Sequence, residues 1–273
     1  MVKIALLFLT INDVYHADYW QDFLAGHENQ YSIYVHAKNG VPSDSFFKPF
    51  ELSTTVPTTW ANSMRGEIRL LQEALKDRNN KKFIMLSETT IPLSDFDDVY
   101  NTVLATSKSI FVYHVNPHQY PNNACYKKRN LLLIPEPFRY KNSQWVILNR
   151  KHAQLMAADK EYIDIIATYE ADNELYPATF LASQGRLNEI EPVDKTYVNW
   201  SKPGPHPFLF SHLDKAGERV CIIKAIQQGY LFARKFAEHA DLSFLDPYLP
   251  YRLRAVGHTD RRLSATYHLS IFE

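Results

Sequence analysis

A continuous apolar run near the start of the chain, Ile4 to Leu9, constrains the fold more than any other feature. Unbroken runs of this length are typical of parallel strands that helices cover on both faces. A helical stripe from His16 to Leu24 and a β-rich run from Tyr31 to His36 follow, so the first segment predicts a βαβ unit. Further strand patterns at Lys82 to Glu88 and Ser109 to His114 predict an open, mostly parallel twisted α/β sheet flanked by helices.

Ligands of such sheets bind beyond the carboxyl ends of the strands. The segments Thr10 to Asp13 and His36 to Lys38 follow two predicted strands, and Glu88 ends a third. We therefore expect a cleft at this edge. A helix is predicted between the second and third strands, with Ile68 and Leu71 on its apolar face and Glu67 elsewhere on its surface.

Composition excludes several classes of protein. The formal net charge is 0 and the pI is about 7.2, which argues against a nucleic-acid binder that relies on bulk positive charge. Cys125 and Cys221 are too far apart for a zinc motif or a disulfide framework. The apolar run stops at Leu9 without a cleavage site, and no stretch approaches the roughly 18 apolar residues of a membrane span. We expect a reduced, cytoplasmic protein without a transmembrane segment.

One carboxylate, Glu174, lies just before an aromatic residue and a proline. A helical pattern over Lys151 to Thr168 precedes it, and Pro177 disfavours helix at Tyr176. The pattern predicts that Glu174 sits where a loop passes into a helix, with its carboxylate facing a cleft. The alternative is an ordinary solvated surface glutamate.

Two short motifs bear on metal and phosphate binding. Asp95 and Asp97 have the D-x-D spacing of metal-dependent nucleotide-sugar enzymes, but they lie at a predicted helix start, where capping explains them, so we expect no metal site. The chain has 8 glycines and no glycine-rich phosphate loop. A diphosphate would then need side-chain cations, for which Arg234 and Lys235, between apolar neighbours, are the best candidates. The alternative is a pair on the solvated edge of a helix.

Five motifs in order resemble those of the core-2/I-branching β-1,6-N-acetylglucosaminyltransferase family, which also contains the peptide O-xylosyltransferases. They are Phe83 to Leu93, Ser143 to Trp145, Asn173 to Thr179, Trp200 to Pro207 and Leu231 to Phe236. The resemblance covers residues 3 to 240. We therefore predict one glycosyltransferase domain over 1–240 and a C-terminal extension of unknown role over 241–273.

The resemblance implies a GT-A-like fold that lacks the D-x-D metal motif, and an inverting, metal-independent transferase that uses a UDP-sugar and no cofactor. It implies that Glu174 is the general base and that Lys235, with Arg234, contacts the diphosphate. A second family cation falls on Lys202 or, as a second choice, on Arg219. Thr10, His36 and Glu88 are expected on the donor side.

The acceptor side is implied less closely. Trp200 matches a family tryptophan near the acceptor, and Trp145, Lys128 and Arg129 are further candidates within or beside a long, locally basic stretch that runs from Pro117 to Pro137. The alternative interpretation of that stretch is a solvated basic turn. The donated sugar, GlcNAc or xylose, the glycan or other hydroxyl acceptor and the oligomeric state stay open.

The chain departs from the animal members in lacking their membrane anchor and their many cysteines, which favours a microbial or viral member. A catalytically silent glycan- or nucleotide-binding module on the same fold is an alternative function. A glycosidase is another, although it needs two carboxylates across one bond, and only Asp172 or Glu170 lies near Glu174 in sequence.

Overall fold

The computed structural model describes residues 1–60, 62–115, 131–204, 206–211, 213, 216–249 and 251–252. These residues form two compact units. The first unit comprises Met1–Val14, Asn29–Glu88 and Val103–Asp194, and the second comprises Tyr15–Glu28, Thr89–Thr102 and the chain from Lys195 onward. The predicted boundary at residue 240 stays a prediction.

The strands are β1 Lys3–Thr10, β2 Tyr31–Ala37, β3 Asn80–Ser87, β4 Ile91–Pro92, β5 Ser109–Ile110, β6 Tyr113–Val115, β7 Tyr140–Asn142, β8 Ile147–Asn149, β9 Ile190–Glu191, β10 Thr196–Val198 and β11 Phe232–Arg234. The helices are α1 Ala17–Leu24, α2 Met64–Ala74, α3 Phe96–Leu104, α4 Arg150–Ala158, α5 Glu161–Ile166, α6 Asp172–Ser183 and α7 Ala216–Gln227. Short 3₁₀ turns lie at Lys48–Phe50, Glu136–Phe138, Leu187–Glu189 and Ser243–Tyr248.

The first unit contains a six-stranded sheet in the order β2-β1-β3-β8-β5-β9. β1 pairs in parallel with both β2 and β3, β5 pairs in parallel with β9, and β8 is antiparallel to its neighbours. The predicted mostly parallel α/β sheet is confirmed. Ile4 to Phe8 of β1 are completely buried, as the apolar run predicts for a strand that is covered on both faces.

Helix α1, which completes the predicted βαβ motif, belongs to the second compact unit. β1 and β2 do pair in parallel, but α1 clusters with the aromatic core of the second unit, where Trp20 stacks on Phe232 at 6.2 Å and Phe23 contacts Tyr251 at 5.7 Å between ring centroids. A three-stranded sheet in the order β10-β11-β4 forms the β-structure of this unit.

Two predicted elements are broken in the structure. The strand predicted over Ser109 to His114 divides into β5 and β6, because Val112 accepts a hydrogen bond from Ser143 and the chain then pairs with β7 in a separate sheet. The helix predicted over Lys151 to Thr168 breaks after α4. There the Asp159 carboxylate accepts the backbone N–H groups of Tyr162 and Ile163 and so starts α5.

Within the described residues, no helix combines the length and the apolar character that a membrane crossing requires.

Candidate active site

Glu174 lies in the first turn of α6, at a loop-to-helix junction as predicted. The residue before the helix, Ala171, has the left-handed conformation with φ 58°, and its carbonyl accepts the Glu174 N–H. The Glu174 side chain is 24% exposed, and its carboxylate lies 3.2 Å from the Lys141 ammonium. The carboxylate is therefore oriented by a cation but still open to a substrate.

The expectation that Pro177 disfavours helix at Tyr176 is wrong, since α6 runs through both residues to Ser183. A proline in a helix has no N–H for the carbonyl four residues earlier. That carbonyl belongs to Asn173, and the Asn142 amide donates to it at 3.1 Å. The same amide accepts the N–H of Ala178 through its oxygen at 3.0 Å. The Asn142 side chain thus donates the hydrogen bond that Pro177 cannot, and it also accepts the N–H of Ala178.

Strand β7 supplies both Asn142 and Lys141. Successive side chains of a strand point to opposite faces, so Asn142 is buried at 3% exposure while Lys141 reaches Glu174. Thr179, further along α6, also holds β7 in place. Its hydroxyl donates to the Tyr140 carbonyl and accepts the Tyr140 N–H. The position of Glu174 therefore depends on a strand more than 30 residues earlier in the chain.

A buried polar cluster joins the start of α6 to the start of α2; we define it as Ser63, Glu67, Asp172 and Asn173. Asp172 accepts the backbone N–H groups of Ser63 and Met64 at 2.9 and 3.2 Å, and Asn173 donates to the Ser63 hydroxyl at 2.7 Å. All four members of the cluster are nearly inaccessible to solvent. The two residues that precede Glu174 are thus fixed to a neighbouring helix.

Glu67 is the unexpected member of the polar cluster. The sequence pattern places it off the apolar face of the helix, yet it is 1% exposed and accepts a hydrogen bond from Gln144 at 3.2 Å. Burial, reinforced by the nearby Asp172, raises the pKa of Glu67 to about 8. The Asp172 pKa is also raised, chiefly by burial. Glu67 is therefore a neutral acid near pH 7.

The three predicted donor-side residues of the first unit lie close together at the carboxyl ends of adjacent strands. β1, β2 and β3 are adjacent and parallel, so Thr10, His36 and Glu88 lie at or just beyond their carboxyl ends. Thr10 and His36 are buried. The Thr10 hydroxyl donates to the Asn12 carbonyl at 2.8 Å, and the His36 Nε2 accepts the Val56 N–H at 3.0 Å.

The His36 ring is neutral in this setting. Burial is the largest influence and lowers its pKa, which fits a ring nitrogen that accepts a backbone N–H. Gly66 lets helix α2 pack closely against the His36 ring and its neighbours, because glycine has no side chain. A Cβ there would lie 2.8 Å from the Thr58 methyl and 2.9 Å from Leu9, with the His36 ring at 3.6 Å.

The predicted diphosphate cations, Arg234 and Lys235, lie in the second unit at the end of β11. Their apolar neighbours Phe232 and Phe236 are completely buried, so core residues flank the pair on both sides. Arg234 is the last residue of β11 and Lys235 follows it, so the pair does not lie on the solvated edge of a helix. The Arg234 guanidinium donates to the Thr89 hydroxyl at 3.4 Å, and the Lys235 carbonyl accepts the Phe210 N–H.

The two candidates for the second cation differ in their surroundings. The Lys202 ammonium lies 4.4 Å from the centre of the Phe208 ring. Arg219, on α7, donates to the Leu213 carbonyl and lies 5.2 Å from the Phe244 ring. Both side chains are exposed, and both contact aromatic rings.

The candidate acceptor residues are only partly described. Trp200 follows β10 and is 56% exposed, so its ring is available to stack on a sugar. Trp145 is buried at 7% exposure, between β7 and β8. Lys128 and Arg129 lie outside the described residues, as does most of the predicted functional loop.

Asp95 and Asp97 flank the start of α3, as predicted. The Asp97 carboxylate lies 3.7 Å from the His27 ring. Among the residues that the structure describes, no group of three or more His, Cys, Asp or Glu side chains is placed to hold a metal ion.

Sequence reasoning missed Lys141, Asn142 and Glu67. A signal existed for Glu67, which sits three residues after buried Met64 and four before buried Leu71 and so shares their helix face. For Asn142 the only signal was a proline within an otherwise helical pattern. No local pattern links Lys141 to Glu174.

An α/β unit with a mostly parallel sheet, and with candidate ligand residues beyond the carboxyl ends of adjacent strands, is consistent with a GT-A-like glycosyltransferase fold. The sequence identifies the family: the model of the core-2/I-branching enzymes matches residues 4–224. The chain belongs to the core-2/I-branching enzyme family and is a glycosyltransferase.

A rice protein (Oryza sativa subsp. japonica), "Glycosyltransferase BC10", is 26% identical in an alignment 307 residues long, gaps included. The alignment covers 89% of this chain and 76% of the rice protein. A solved structure, that of A197 from STIV, covers 58% of this chain and 69% of its own at 12% identity with a TM-score of 0.28, and a similarity this low supports no conclusion.

Proposed function

We propose that the protein is an inverting transferase that moves a sugar, GlcNAc or xylose, from a UDP-sugar to a hydroxyl of a glycan or other acceptor. Glu174 acts as the general base. The arrangement around Glu174 carries the proposal: a partly exposed carboxylate, oriented by Lys141, on a helix start that Asn142 and the polar cluster hold in place.

In this mechanism the acceptor hydroxyl donates a hydrogen bond to the Glu174 carboxylate. Glu174 takes the proton as the hydroxyl oxygen attacks the anomeric carbon from the face opposite UDP. The bond from the anomeric carbon to the diphosphate breaks in the same displacement, so the configuration inverts. No covalent sugar–enzyme intermediate forms.

The leaving diphosphate develops negative charge, which fixed cations stabilise. We assign this role to Lys235 and Arg234, with Lys202 or Arg219 as the further cation. Buried Phe232 and Phe236 on either side support the assignment, because cations on a held backbone lose little freedom when the diphosphate binds. UDP-sugar is a co-substrate, and the proposed reaction needs no resident cofactor or metal.

The donor nucleoside is proposed to lie over the segments that follow β1 and β2, near Thr10 and His36, with Glu88 holding a sugar hydroxyl. The exposed ring of Trp200 supports a place on the acceptor side. Trp145, Lys128 and Arg129 remain proposed acceptor residues.

Replacing Glu174 by glutamine tests the base. The amide keeps the shape of the side chain but cannot take a proton, so we expect turnover to fall by roughly 10²- to 10⁴-fold. UDP affinity and the unfolding midpoint should stay near those of the wild type. UDP release coupled to acceptor glycosylation measures turnover.

Glu170→Gln is the matched control, because Glu170 is a nearby carboxylate without an assigned role. Its turnover should remain within a few-fold of the wild type. Near-normal activity of Glu174→Gln would remove Glu174 as base, and release of free sugar in place of a transferred product would indicate a hydrolase.

Replacing Lys235 by alanine tests the diphosphate contact. Loss of the ammonium should weaken UDP binding at least tenfold in a calorimetric titration, since charge-assisted bonds to phosphate are strong. Lys224→Ala, which removes an exposed lysine of α7, is the control. Equal UDP affinity in the two variants would contradict the assignment.

A further inference from the structure

A cavity of about 560 Å³ lies within the first unit, away from the strand ends described above. It is lined by the first residues of β3, by the segment before β5 and by the junction of β8 and α4. β3 begins at this edge and antiparallel β8 ends there, so the cavity lies at the edge opposite Thr10, His36 and Glu88. The volume suits a small molecule.

The lining is strongly cationic. Five positive side chains and one carboxylate contribute to it: Lys81, Lys82, Lys108, Arg150, Lys151 and Glu189. The carboxylate is already neutralised, because Glu189 contacts Lys151 at 3.0 Å, Arg186 at 2.7 Å and the His152 ring at 3.1 Å. Hydrogen bonds from Arg186 and Lys151, with a smaller contribution from the His152 ring, lower the pKa of Glu189 to about 2.

The remaining cations lack carboxylate partners. Within the described part of the chain, Lys81, Lys82 and Lys108 form no ion pair, and Lys81 and Lys82 instead donate to backbone carbonyls. Arg150 is held in place by hydrogen bonds to three carbonyls, those of Leu75, Asp77 and Asn80. The wall of the cavity therefore carries positive charge that no carboxylate of the described residues pairs with.

The buried ammonium of Lys82 is the least favourable of these unpaired charges. The residue is 3% exposed, and its ammonium donates to the Lys108 carbonyl at the cavity. Burial lowers its pKa to about 8, and the more distant Glu191 offsets this only in part. A lysine with a solvated or paired ammonium would not show this effect. An anion in the cavity would supply the missing partner.

We propose that this cavity is a second anion site, which binds the phosphate group of a small molecule independently of the donor nucleotide. Lys82 and Lys108 provide the ammonium contacts, and rigid Arg150 maintains the positive potential. The proposal does not depend on the role of Glu174 or Lys235, because the residues that form the cavity are different.

The test is a calorimetric titration of the full chain with pyrophosphate while UDP saturates the donor site. We expect saturable binding that weakens at least tenfold in Lys82→Gln and in Lys108→Gln. Lys224→Gln, at an exposed lysine far along the sequence, should bind like the wild type. Lys235→Ala should also retain this binding even if it loses UDP.

Lys108→Gln keeps the test informative if the buried Lys82→Gln fails to fold, since Lys108 is exposed. Titrations with inorganic phosphate and with a hexose phosphate then separate free phosphate from a metabolite, according to which binds more tightly. Absence of pyrophosphate binding in the presence of UDP, or equal affinity in Lys108→Gln and Lys224→Gln, would overturn the proposal.

Discussion

Glu67 and Glu174 lie in the same unit but in opposite electrostatic surroundings. Glu174 is partly exposed and contacts an ammonium, whereas Glu67 is buried and faces the carboxylate of Asp172. Burial and like charge favour the protonated form of a carboxyl group. Glu67 therefore holds its proton near neutral pH, whereas the carboxylate of Glu174, the proposed base, contacts the Lys141 ammonium.

Glu67→Gln should stabilise the protein at neutral and mildly alkaline pH. The Glu67 pKa is about 8 when folded and 4.5 in its reference state, so the folded protein binds more protons than the unfolded chain between these values. The free energy of unfolding of the wild type therefore falls as the pH rises through this window. Glutamine resembles the protonated acid and removes this loss.

Urea unfolding at pH 5, 6.5 and 8 measures the effect. One unit of pKa difference corresponds to about 1.4 kcal/mol, so the advantage of Glu67→Gln should grow towards pH 8 to on the order of a few kcal/mol. An identical pH dependence in both proteins would show that Glu67 is ionised in the folded state.

At the scale of elements, the junction of β7 with α6 makes a proline acceptable inside a helix. Asn142→Ala should destabilise the protein by on the order of 2 kcal/mol or more, because it leaves the buried Asn173 carbonyl and Ala178 N–H without the partners described above. Pro177→Ala restores an N–H that can bond the Asn173 carbonyl. The double variant should therefore lose less stability than Asn142→Ala alone.

A double-mutant cycle in urea measures this coupling, which we expect to be at least about 1 kcal/mol. Asn101→Ala, at an exposed residue of α3, should show no coupling to Pro177→Ala. Additive losses for Asn142 and Pro177 would mean that the amide does not compensate for the proline.

Elements defined by local patterns were predictable, and those defined by distant partners were not. The apolar run at Ile4 predicts β1 because strand burial is encoded in consecutive residues. The helix through Pro177 depends on Asn142, and the division of the Ser109 to His114 strand depends on the pairing of β6 with β7. Single-residue propensities contain no information about such contacts.

The same distinction applies to the candidate site. Glu174 and Lys235 could be selected because ordered motifs mark them. Glu174 lies at a helix start, as predicted, whereas no pattern predicted the strand β11 that Lys235 follows. The ion pair of Glu174 with Lys141 and the buried state of Glu67 arise only when separate elements pack together.

At the scale of the whole molecule, the proposed reaction relies on side-chain cations and not on a divalent ion. Transfer activity should therefore survive EDTA, with turnover within about twofold of the untreated enzyme. Addition of Mg²⁺ or Mn²⁺ should give no large increase. Activity that EDTA abolishes and metal restores would contradict this, and Asp95→Asn and Asp97→Asn would then be the variants to examine.

The central position of β11 has a consequence for how the polypeptide can be shortened. Its partners β4 and β10 come from residues 91–92 and 196–198, yet β11 itself is formed by 232–234, after the family match ends at 224. A fragment cut at the end of that match would have two strands with nothing between them. The minimal foldable polypeptide is therefore longer than the region by which the family is recognised, and ribosomal synthesis must pass β11 before the second unit can close.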